Sequence, residues 1–62
     1  MARFICLHKD GEPIYSNIDM INTITTDMGK SYVTFTVGYL HADESAEEIM
    51  KLIEEKGNGN QH

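Results

Sequence analysis

The sequence predicts an α+β fold: an antiparallel meander of four to five short strands with one C-terminal helix packed on one face. Three observations carry that reading. Residues Tyr32 to Val37 alternate, with Val33, Phe35 and Val37 on one side and Tyr32, Thr34 and Thr36 on the other, the period of a half-buried strand. Ser45 stands three residues before Glu48 in the capping-box pattern, and Ala46, Ile49, Met50 and Ile53 then recur at helical spacing. Glycine-containing turns, Asp10-Gly11 and Asp27-Met28-Gly29-Lys30, divide the remainder into short apolar runs.

The elements follow in order. Arg3 to His8 reads as strand one, with Ile5 and Leu7 on one face and Phe4, Cys6 and His8 on the other. Asp10-Gly11 is the strongest hairpin signal, because a two-residue turn needs positive φ there. Strand two runs from Pro13 to Ser16, and Pro13, lacking an N–H, belongs at a strand start or an edge. Asn17-Ile18-Asp19 forms a corner. Strand three covers Met20 to Thr26, yet Ile21 and Ile24 are three apart rather than two. A bulge, a corner or a short helical turn over Ile18 to Ile21 would each explain that spacing. After Tyr32 to Val37, Gly38 marks a bend and Tyr39 to Ala42 a short extended run. The helix stops at Gly57. Residues 1–56 therefore make a single domain and 57–62 a disordered tail. The expected helix-side core is Ile5, Leu7, Ile14, Ile21, Ile24, Val33, Phe35, Val37, Leu40, Ile49 and Ile53.

Sixty-two residues allow one domain. A domain of this size buries only about 60% of its unfolded surface, so its stability is marginal without reinforcement. A single cysteine cannot form an internal disulfide, which leaves self-association as the expected reinforcement. One thiol and no export signal point to the cytoplasm. No apolar run approaches the ~20 residues of a membrane span. Ten acids against five bases give a net charge of −5, which repels a phosphate backbone and disfavours nucleic acid as a partner. The acids Asp43, Glu44, Glu47, Glu48, Glu54 and Glu55 crowd the C-terminal third. A solvated helix face with acids near the helix N-terminus accounts for them.

Candidate chemistry is sparse. Cys6 and His8 share a strand face, but His41 and His62 lie elsewhere, and no C-x-x-C or H-x-x-x-H spacing occurs. No metal site is expected. A nucleophilic Cys6 would need a neighbouring cation or helix N-terminus to lower its pKa, and a mid-strand cysteine is better read as packing. Gly11, Gly29 and Gly38 form no phosphate-binding motif, so no cofactor is expected. Asp19, Asp27 and Asp43 sit in separate turns and caps, which explains them without catalysis. Glu47 and Lys51 make a structural i,i+4 pair, and Met20, Met28 and Met50 read as gap-fillers. The chain reads as a non-enzyme with no small-molecule substrate.

A sheet covered on one side leaves its other face open. Phe4, Cys6, Tyr15, Tyr32, Thr34 and Thr36 would lie there, too apolar and aromatic for an ordinary wet surface, which makes them the predicted interface. The resulting function is a small protein-interaction module that forms a homo-oligomer through the open face or an edge strand and can also bind another protein. The competing reading is a nucleic-acid accessory protein that stacks bases on Phe4, Tyr15 and Tyr32. Such a groove also wants basic residues, and the sheet region holds only Arg3, Lys9 and Lys30.

The pattern Asp10-Gly11, Asn17-x-Asp19-x-Ile21-x-x-Ile24, Val33-x-Phe35 and Glu44-Ser45-x-Glu47-Glu48-Ile49 resembles the small flagellar FlbD/SwrD-type family. It is similar also to short bacterial and phage proteins of unknown role. The likeness spans about residues 3 to 55 and consists of turn, core and cap positions. This chain has Leu7-His8-Lys9-Asp10 where the flagellar family tends to show a Thr-Arg-Leu-Asn type run. The resemblance implies a non-enzymatic accessory factor, in motility for the flagellar members, and supplies no functional residues.

Overall fold

The computed structural model describes residues 3–58, with side chains through residue 56. Strands β1 (Phe4–Lys9) and β2 (Glu12–Asn17) form a hairpin. Its two-residue loop places Asp10 at φ 51° and Gly11 at φ 83°. Positive φ at both central residues is the turn whose twist matches the flanking strands. In β2, Glu12, Ile14 and Ser16 exchange bonds with β1, so the backbone of Pro13 faces the open edge, where its missing N–H breaks no ladder bond.

A 3₁₀ turn over Ile18–Met20 follows, capped by Asn17, whose side-chain oxygen accepts from the Asp19 N–H at 3.0 Å. Ile18 N–H donates to Arg3 O at 2.9 Å and ties this corner back to the start of β1. Then come β3 (Ile21–Asp27), β4 (Lys30–Phe35) and β5 (Tyr39–Ala42), antiparallel in the order β3-β4-β5. The register slips between Ile21 and Thr23, leaving Asn22 as the extra residue of a bulge. Two of the three explanations for the Ile21/Ile24 spacing thus operate together: a helical turn brings the chain in, and a bulge resets the pleat.

The strands make two sheets rather than one meander: a hairpin and a three-stranded sheet. They meet where β1 lies beside β5, and Asp43 N–H donates to His8 O at 2.7 Å. Helix α1 (Ala46–Asn58) packs across β1, β3 and β4. The fold class is therefore α+β, with antiparallel strands and one C-terminal helix.

The buried core is Ile5, Leu7, Ile18, Val33, Leu40, Ala42 and Ile49, with Ile14, Ile21, Ile24, Phe35, Leu52 and Ile53 packed against it. Ile18, Ala42 and Leu52 join the expected set. Val37 leaves it, because it is 89% exposed. The alternation through Val37 suggests a strand, but Phe35 N–H donates to Gly38 O at 2.9 Å and the chain reverses through Thr36-Val37. Gly57 is a second correction: α1 continues through it to Asn58. A glycine costs a helix only about 1 kcal/mol, which the last turn tolerates. The remainder of the expected tail, 59–62, lies outside the described residues.

Candidate interaction surface

The predicted interface residues fall on two sheets rather than one face. Phe4 (48% exposed), Cys6 and Tyr15 (72% exposed) belong to the hairpin, with Cys6 directly opposite Tyr15. Cys6 is half-buried and lines a shallow groove with His8 of the same strand, Glu44, and Glu48 and Leu52 of the following helix. Tyr32 and Thr34 lie together on the outward face of the three-stranded sheet. Thr36 is not in a strand: it sits in the β4–β5 turn, where its N–H donates to Met20 O at 2.8 Å.

The outward face of β3–β5 is the most organised of these surfaces. Cross-strand register aligns Thr25, Tyr32 and His41 in one row and Thr23, Thr34 and Tyr39 in the next. The Tyr32 and Tyr39 rings stack, with centroids 5.2 Å apart and planes 25° apart, and the His41 ring lies 5.7 Å from Tyr32 at 59°. Such cross-strand contacts, diagonal for Tyr32–Tyr39 and direct for Tyr32–His41, are a normal source of sheet stability. Desolvation, and next the neighbouring Tyr39, push the Tyr32 phenol above its ordinary pKa. Asp27 Oδ2 accepts from His41 Nε2 at 2.9 Å at the end of the face, and the Thr23 and Thr34 hydroxyls bond to each other. Among the described residues no element covers these rings: Tyr39 is 69% exposed and Tyr32 40%. Tyr39 and His41 are missing from the sequence-based interface, although Tyr39-Leu40-His41-Ala42 has the alternation that reveals them.

A second cluster joins the hairpin to the helix. Asp43 accepts from the N–H groups of Gly11 (2.8 Å) and Asp10 (3.1 Å), which lowers its carboxyl pKa. Glu44 accepts from the His8 amide at 2.9 Å and from His8 Nδ1 at 2.5 Å. Its partial burial pushes its pKa up, but the His8 ring and amide outweigh that and hold it low. Both carboxylates are occupied by groups of the β1–β2 hairpin, Asp43 by two turn amides and Glu44 by the amide and ring of His8, which makes this a structural staple. Among the described residues, no group of three or more His, Cys, Asp or Glu side chains is placed to hold a metal ion.

Comparison with protein-family models, curated proteins and solved structures found no significant match. The surface must therefore be read from its own chemistry. Among the described residues no helix is long and apolar enough to cross a membrane.

Proposed function

We propose that this chain is a small, non-enzymatic protein-interaction module that associates with itself and works in the cytoplasm. The observation that carries the interaction reading is the uncovered Tyr32/Tyr39 face, and the thin core of so small a domain supports self-association. Elsewhere on the molecule Phe4, Tyr15, Met20, Met28, Val37 and Met50 are at least 48% exposed. Surface of this kind marks contact with another protein. The net charge of −5 favours a protein partner over a nucleic acid.

Light scattering over a concentration series tests the reading. A mass of at least twice 7.0 kDa at micromolar concentration supports it. A mass of 7.0 kDa at every concentration overturns self-association. A shift of single-stranded RNA or DNA in a low-salt retardation assay would instead favour the stacking alternative.

A further inference from the structure

Every sheet edge is a row of unpaired backbone groups, and a small protein must blunt it, cover it or use it. Here the three-stranded sheet and the hairpin have different answers. The β5 edge is taken by β1 at the Asp43–His8 bond. The β2 edge presents Pro13, which has no N–H to offer, beside the charge of Glu12. The β3 edge is left open between its ends: among the described residues no strand pairs with it, Ile21–Asp27 contains no proline, lysine or arginine, and its bulge at Asn22 and its one charge, Asp27, stand near the two ends.

Its polarity follows from the β3–β4 turn. Asp27 and Lys30 close a two-residue loop, so Asp27, Thr25 and Thr23 turn their backbone groups towards β4. Ile24 and Thr26 must then turn theirs off the sheet, and Asn22, the bulge residue, has no partner in β4. We infer that the self-association proposed above is made by this edge, with β3 of one copy pairing antiparallel to β3 of a second copy about Ile24.

Three features select this occupant and this register. Placing Ile24 opposite itself lets the outward groups of the two Ile24 residues meet on the two-fold axis and sets the outward-turned Thr26 against the bulge residue Asn22. The sole charge of the strand, Asp27, then faces Ile21 of the other copy, and no like charges oppose each other. Finally, Met28 arrives opposite Met20. Met28 is 97% exposed at the tip of the β3–β4 turn, and Met20 borders an apolar depression with Phe35, Thr36 and Val37 at the other end of the same sheet. A two-fold axis makes that contact twice, an apolar knob entering an apolar hollow at each end. The product is a continuous six-stranded sheet. Both Tyr32/Tyr39 stacks lie on one side of it and remain free for another protein. Strand pairing with two methionine anchors is a small interface, so the association belongs in the micromolar range.

Amide exchange on the wild-type protein tests the contact without risk to the fold. With rising concentration, the amides of Ile24 and Thr26 should slow, while those of Tyr15 and Asn17 on the β2 edge should not change. Met28→Asn tests the register. Asn-Gly is the preferred pair for this turn, so well below the dissociation constant the variant monomer should melt no lower than the wild type. The dissociation constant should rise about tenfold as the apolar anchor is lost. A doubled mass with fast exchange at Ile24 and Thr26 keeps the self-association reading and overturns the β3 contact. Unchanged association in Met28→Asn overturns the register. A wild type that stays at 7.0 kDa removes both readings.

Discussion

Ser31 is fully buried beside Ala42, and its hydroxyl has no hydrogen-bond partner among the described residues. An orphaned buried hydroxyl keeps its desolvation cost without return. Ser31→Ala should therefore stabilise the protein, by about 1 kcal/mol, read as a higher urea midpoint with an unchanged slope. A lower midpoint would mean that the hydroxyl is bonded to an internal water. Ser45 is the opposite case. Its hydroxyl accepts from the Glu48 N–H at 3.2 Å, and Glu48 returns the bond to the Ser45 N–H at 3.2 Å. Ser45→Ala should cost about 1 kcal/mol and lower the melting temperature by roughly 4–8 °C. An unchanged melt would show that the reciprocal cap contributes nothing. The cap was legible in the sequence because it is local, three residues apart. The orphaned Ser31 was not, because its isolation depends on what β5 and the core place around it.

At the scale of elements, the junction between β5 and α1 does more than connect. Asp43 and Glu44 hold the β1–β2 hairpin by its turn amides and by His8, and Lys30 Nζ stands 3.8 Å from Asp43. Both carboxyls have folded pKa values below their unfolded ones. Between the two values the unfolded chain binds more protons, so stability rises with pH there. The staple's contribution is present in full above the unfolded values of about 4 and is lost as pH falls through the lowered folded values. Urea midpoints at pH 6, 4 and 3 should fall most steeply over the last interval. In Asp43→Asn that fall should be shallower. An equally steep fall in the variant would place the acid sensitivity elsewhere. Local signals identified each strand and turn here, but not the joint. Asp43 lies 32 residues from Gly11, and turn chemistry alone explained it as a cap.

For the whole molecule, seven buried side chains and their half-buried neighbours form a thin core for a 62-residue chain. A second copy pairing along β3 binds only the folded chain, so folding and association are linked, and stability follows concentration by mass action. The melting temperature should climb when the protein is concentrated from 1 to 100 times its dissociation constant, a stabilisation of about 1 kcal/mol per subunit. A melting temperature independent of concentration would leave the monomer self-sufficient.

Sequence alone determined the class of the fold, the two glycine turns, the helix start and nearly all of the core, because these rest on periodicity and on residues within four positions of each other. It was misled at Val37, where alternation continues through a turn that a single Phe35–Gly38 bond decides. The tertiary structure decided that the strands divide into two sheets, that Tyr39 and His41 complete the aromatic face with Tyr32, and that β3 is the edge left bare. Those are matters of which strand lies beside which, and pairing between strands is set by packing around the whole core rather than by any one segment.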